Sequence, residues 1–210
     1  MQKSTIRFSL ISILSLLLFS CKSYQITDAV KKENTITVFK NPYFSNPETD
    51  YVYKANIEIY GNKLGGIFIA KKINDSIHRV VFTTEFGNKL LDFELSEHNF
   101  KVNYILDDLN RKIIINTLRD DFKLLLKANH TVSEVFENER FVIYKSIDNK
   151  RFNYFFEDKK KNKLIKLVNT SKTKEKVTFE FSSENSIFAE NIKISHQNIK
   201  LKIELNQIIN

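Results

Sequence analysis

The 210-residue sequence predicts a mainly β, antiparallel fold of about eleven strands interrupted by a helical insert. Three observations carry that prediction. Apolar and polar residues alternate with a period of two in one segment after another, which puts one face of each strand on a core and the other in water. Short turns such as Gly61-Asn62 and Asn74-Asp75-Ser76 join the segments, and such connections suit antiparallel neighbours. The composition has 18 Phe and 8 Tyr, no Trp, and only 4 Gly and 2 Pro, which favours long pleated strands over a loop-rich or disordered chain. The length suits a single β domain.

The first twenty residues lie outside this pattern. Lys3 and Arg7 precede an uncharged, mostly apolar run over 8–19, followed by Ser20 and Cys21, which is the grammar of an export signal. A transmembrane helix needs about 20 apolar residues, so the run reads as a cleaved signal rather than an anchor. Leu18-Phe19-Ser20-Cys21 resembles the lipobox of bacterial lipoproteins, with Phe19 where that pattern prefers a small or β-branched residue. The resemblance implies that Cys21, the sole cysteine, becomes the lipidated first residue. An internal disulfide is closed to it. Residues 21–50 are polar and weakly patterned and read as a tether, with room for one short strand over 35–39.

The folded domain is expected over 51–210. Residues 51–60 alternate with Tyr51, Tyr53, Ala55, Ile57 and Ile59 on one side, and 64–72 continue through Gly66, Phe68 and Ala70. Residues 79–95 form the central hairpin. Val80, Phe82 and Thr84 share a face of its first strand, and Leu91, Phe93 and Leu95 share a face of its second. Phe86 stands beside the turn glycine Gly87, where tips are normally polar. It either folds back onto the core or is held out to touch a membrane or lipid. A fifth strand follows at Phe100, Val102, Tyr104 and Leu106.

The period then changes. Asp107-Asp108 can cap a helix whose Leu109, Ile113, Leu118, Phe122 and Leu125 or Leu126 recur at helical spacing. The β-branched run Ile113-Ile114-Ile115 opposes it, and Asp120-Asp121 could start a second helix. Strands resume at 140–144, 151–156, 163–168, 176–181, 189–196 and 199–205. One short insert cannot fill so large a sheet. The sheet therefore either closes on itself or stays open and curved around an apolar hollow. By period, Phe82, Phe93, Phe100, Val102, Phe179, Phe181, Leu201 and Ile203 face the interior, covered by Ile113, Leu118 and Phe122.

Chemistry is sparse. His78, His98, His130 and His196 stand singly without metal-ligand spacing, and the 4 glycines form neither a phosphate-cradling loop nor a nucleophile elbow. The expectation is a non-enzymatic protein with no metal and no cofactor. Formal charge is +8; leaving out Lys3 and Arg7, 31 basic residues face 25 acidic ones, net +6, spread along the chain. Its one dense run, Lys159-Lys160-Lys161, suits a solvated hairpin tip. Diffuse charge and an export leader argue against nucleic acid.

The order of lipobox cysteine, tether, strand meander, helical insert and a closing Ile199-Lys200-Leu201-Lys202 strand resembles the LolB-type outer-membrane lipoprotein receptors and, more broadly, the LolA/LolB-like half-barrels. Residues 79–95, with Phe86-Gly87 between two strands, look like that family's protruding apolar loop. Phe86 replaces its aliphatic tip residue, and the family's tryptophans are missing. The resemblance implies a strongly curved antiparallel half-barrel with the helical insert covering its concave face. It also implies a lipoprotein anchored in the outer membrane and facing the periplasm. Such a protein takes lipoprotein acyl chains from a soluble LolA-like periplasmic carrier into an apolar cavity, with Phe86 and Gly87 as a membrane-insertion loop. An alternative is a structural or interaction lipoprotein of an envelope complex whose core is filled by its own aromatics.

Overall fold

In the computed structural model, residues 24–184 and 188–208 are described. They form one antiparallel sheet of fourteen strands, curled but unclosed, around one helix. The strands are β1 (Val30–Lys32), β2 (Val38–Lys40), β3 (Tyr51–Ile59), β4 (Asn62–Lys72), β5 (His78–Thr83), β6 (Lys89–Leu95), β7 (Phe100–Ile105), β8 (Asn129–Glu137), β9 (Phe141–Asp148), β10 (Arg151–Asp158), β11 (Lys163–Thr170), β12 (Glu175–Ser182), β13 (Asn191–His196) and β14 (Leu201–Gln207). Their order is β1-β8-β9-β10-β11-β12-β13-β14-β3-β4-β5-β6-β7, with β2 also pairing β8. Helix α1 (Lys112–Leu126) connects β7 to β8.

Alternation holds the sheet in register. Leu167, Phe179, Ile194, Ile203, Ile57 and Leu64 are successive cross-strand partners from β11 to β4, so one slip of a single residue would turn a whole strand's apolar set into water. The three strands beyond the expected eleven are β1, β8 and β2, the last overlapping the short strand allowed over 35–39. β1 and β2 fall within the segment read as a tether, which is instead built into the fold. Phe39, Tyr43 and Phe44 are buried. The Tyr43 hydroxyl donates to the Leu164 carbonyl (2.8 Å), and Asn41 Nδ2 donates to the Leu125 carbonyl at the end of α1 (3.1 Å). Residues 24–29 lie against the convex face, where Tyr24, Ile26 and Ala29 pack on a second apolar cluster of Ile143, Tyr154, Phe156 and Val168.

Asp107-Asp108 belong to a 3-10 turn (Asp107–Leu109) rather than to the helix, which begins at Lys112 and runs unbroken past Asp120-Asp121. That start sets the helical phase: Ile114, Leu118, Phe122 and Leu125 are buried, while Ile113 is 52% exposed.

Candidate functional site

The β5–β6 hairpin is anchored by its inward residues. Val80, Phe82, Leu91 and Phe93 are fully buried, paired as Val80 with Phe93 and Phe82 with Leu91. On the outward face Asp92 is also fully buried, under Arg79 (2.9 and 2.7 Å), Lys89 (3.0 Å) and Asn103 (3.4 Å). The Arg79 hydrogen bonds, with those from Lys89 and Asn103, hold its carboxyl far below the usual carboxylate range. Gly66 permits the close approach of β4 to this hairpin, since a Cβ there would fall 1.8 Å from the Thr83 carbonyl oxygen.

From this clamped base, residues 84–88 project as a tight loop. Thr84 and Asn88 close it: the Thr84 N–H donates to Asn88 O (2.8 Å) and the Asn88 N–H to Thr84 Oγ1 (3.1 Å). Gly87 adopts φ +86°, a left-handed conformation that side chains disfavour, and its N–H returns to Thr84 O (2.9 Å). Glu85 turns back to Lys54 (3.0 Å). Phe86 is left 94% exposed, the most exposed large apolar side chain among the described residues. The ring is held out from the core rather than folded back onto it.

The interior is packed. Phe82, Phe93, Leu118, Phe122, Phe179, Phe181, Leu201 and Ile203 are all buried, as their period implies. Phe122 reaches from α1 to Phe68 (5.4 Å) and Phe93 (6.5 Å). Phe100 is half-buried against Phe93. Two assignments need correction. Val102 is 37% exposed: it pairs with the inward Phe93 but lies on the terminal strand beside a register shift, and no further strand covers it. Ile113 is exposed because the helix starts later than Asp107-Asp108 implied. Cys21 lies outside the described residues, as does the whole of 1–23.

Two of the histidines that stand singly in the sequence have buried side chains. His196 Nε2 lies 3.1 and 3.0 Å from Asp121 Oδ1 and Oδ2 on α1, and its Nδ1 lies 3.0 Å from the Leu201 carbonyl. Both ring nitrogens thus face oxygens, an arrangement that a doubly protonated ring satisfies. Burial works against the charged ring, but Asp121 and the Leu201 carbonyl outweigh it and raise His196 above its usual value. The pair fastens the cover helix to the sheet. His130 is the opposite case. Burial against Phe155 (4.5 Å) pushes it down to about 4, and its Nε2 has no partner. Among the described residues no group of three His, Cys, Asp or Glu could hold a metal, and no helix is long and apolar enough to cross a membrane.

The architecture has a counterpart among solved structures. A LolA superfamily protein from Nitrosomonas europaea superposes with a TM-score of 0.50 at 8% identity, covering 79% of this chain and 88% of that one. The fold is therefore that of the LolA/LolB-like half-barrels. A putative outer membrane lipoprotein-sorting protein domain from Vibrio parahaemolyticus aligns at a TM-score of 0.43 and 9% identity over 76% of this chain and 83% of its own. No protein-family profile and no curated protein sequence matches the chain.

Proposed function

We propose that the protein is a non-enzymatic lipid-handling factor of the bacterial envelope. Lipidated at Cys21 and held at the outer membrane facing the periplasm, it receives lipoprotein acyl chains from a soluble LolA-like carrier and helps insert them into the bilayer. The observation that carries this reading is Phe86, 94% exposed on a loop whose base is clamped on both faces of the sheet. A turn has no local need for an exposed ring, whereas aromatic rings sit favourably at the boundary between headgroups and hydrocarbon.

The energetics of transport agree. Each methylene exposed to water costs about 0.8 kcal/mol, so a long acyl chain carries on the order of 10 kcal/mol, and crossing an aqueous gap requires an apolar shelter. Here the shelter is filled by the protein's own Leu118, Phe122 and Leu125. An acyl chain entering beneath α1 exchanges one buried apolar surface for another, so lifting the helix is opposed chiefly by the Asp121–His196 pair and the helix's other polar ties. The same filling favours a second reading, in which the domain is an interaction module with a self-filled core.

Native protein extracted gently from membranes separates the two. Mass spectrometry finding co-purified acyl lipid, with transfer of a lipoprotein into liposomes, is the expected result. Empty protein that transfers nothing would leave the interaction module. On the anchor itself, Cys21→Ala should release a correctly cleaved protein from the membrane or leave it unprocessed, read by fractionation.

A further inference from the structure

We infer that one rim of the curled sheet is a membrane-docking edge for anionic lipid headgroups, a surface much broader than the Phe86 tip. In an antiparallel meander alternate turns share a rim. The pairings of β9 through β14 and of β14 with β3 put the turns at 149–150, 171–174, 197–200, 60–61 and 84–88 on one rim. The turns at 138–140, 159–162, 73–77 and 96–99, with the described residues 183–184 and 188–190, occupy the other.

The two rims differ in charge. With the β7–α1 and α1–β8 connections, which begin and end at this rim, the first carries Lys150, Lys172, Lys174, Lys200, Arg111 and Lys127 against Asp107, Asp108 and Glu85, the last already neutralised by Lys54. The turns of the second carry four basic and five acidic residues. Lys150, Lys172, Lys174 and Lys200 are exposed, and none of the four has an ion pair among the described residues. On the second rim, Arg140 and Lys159 are tied to Asp158 and Glu137. The first rim also bears the exposed rings of Phe86 and Tyr60, the latter 46% exposed. Unpaired lysines interleaved with exposed aromatics fit an anionic bilayer surface, to which each lysine adds attraction.

The start of the described chain lies at the same rim. The Tyr24 N–H donates to the Lys172 carbonyl (2.8 Å), and its ring packs on Tyr154 (5.1 Å). Tyr24 follows Cys21 by three residues, a length of chain that spans at most about 10 Å. With Cys21 lipidated, as the function proposed above requires, the anchor holds this rim against the bilayer and leaves the domain little freedom to swing away. The charge asymmetry does not depend on lipidation.

The test uses full-length protein purified from membranes, with a photo-crosslinking amino acid replacing Thr173 on the lysine rim or Asn162 on the other. Each is presented to vesicles of phosphatidylcholine alone or mixed with phosphatidylglycerol. The expected result is phospholipid capture at 173 about ten-fold above that at 162, dependent on phosphatidylglycerol. It should be abolished by Lys150→Glu, Lys172→Glu, Lys174→Glu and Lys200→Glu together, and unaffected by Lys160→Glu with Lys161→Glu. Equal capture at the two rims, indifference to anionic lipid, or capture of a protein at 173 in intact envelopes would overturn the inference. The mass of the N-terminal peptide reports lipidation separately. Anionic capture at 173 with an unmodified Cys21 would uphold the docking edge and remove the anchor.

Discussion

Phe86 and Phe122 are the same side chain in opposite settings. Phe122, on α1, is fully buried, with Phe68 and Phe93 around it. Phe86, on a hairpin tip, is 94% exposed although Phe82, four residues earlier in the same hairpin, is fully buried. The tip could have been made polar at no cost to the base, because Thr84, Asn88 and Gly87 close the loop without any help from the ring. Stability explains the first phenylalanine and not the second. Measurements that separate stability from transfer therefore test the comparison directly.

The largest expected effect is at the buried end. Phe122→Ala should cost about 3–5 kcal/mol in denaturant unfolding, the range for deleting a buried aromatic. If the hollow accepts acyl chains, the cavity left behind gives a long-chain lipid a place, and adding one should recover part of the loss. A variant destabilised by less than 1 kcal/mol would mean that α1 packs loosely and that the contrast with Phe86 is weak.

Acid should act on the same interior. His130 is buried neutral, with its pKa pushed from 6.5 down to about 4. The unfolded chain binds this proton more readily, so stability falls as pH drops from 6.5 and the loss is complete near 4. Its size is on the order of 3 kcal/mol. His78 is lowered by burial and acts in the same direction. Replacing His130 with Gln should flatten most of the slope between pH 6.5 and 4, measured by unfolding at fixed pH.

A smaller effect of opposite sign belongs to the helix fastening. His196 is raised above 6.5 by Asp121 and the Leu201 carbonyl against the opposing effect of burial, so its contribution is full below pH 6.5 and fades as pH rises through its folded value. Asp121→Asn keeps the shape and removes the charge. It should cost about 1–2 kcal/mol near neutral pH and abolish the decline on the alkaline side. If the helix must lift for lipid to enter, the same variant should load lipid faster.

Much of the hairpin was legible because period two is unambiguous when both strands are half-buried: Val80, Phe82, Leu91 and Phe93 all face as their alternation implies. The errors fall where local pattern loses to other constraints. Val102 has the right parity but sits on an edge strand beside a register shift. In the run 113–115 any of three isoleucines could face inward, and the choice of Ile114 follows from a helix start that the acidic pair Asp107-Asp108 obscured. Residues 24–50 carry neither period. Their aromatics are held by partners far along the chain, as Tyr43 is by Leu164, and no sequence window contains that information. The His196–Asp121 pair is 75 residues apart and hidden for the same reason.

The smallest effect on stability is expected at Phe86, and it is the most informative. A side chain that touches almost nothing contributes almost nothing to the core, so Phe86→Glu should shift unfolding by no more than about 0.5 kcal/mol. Glu85 is adjacent and already paired with Lys54, so a second carboxylate at the tip faces water and disturbs no contact. Lipid bound in the hollow should remain, since Phe122 and its neighbours are untouched. Transfer into liposomes should nevertheless fall sharply, because a carboxylate on a membrane-seeking tip opposes both the apolar boundary and anionic headgroups. Phe86→Leu, which restores an apolar tip, should retain most of the transfer. Measuring unfolding, bound lipid and transfer on one preparation of each variant decides the matter. Full transfer by the stable glutamate variant would show that the exposed ring serves some other contact, and the distinction drawn between the two phenylalanines would lose its functional half.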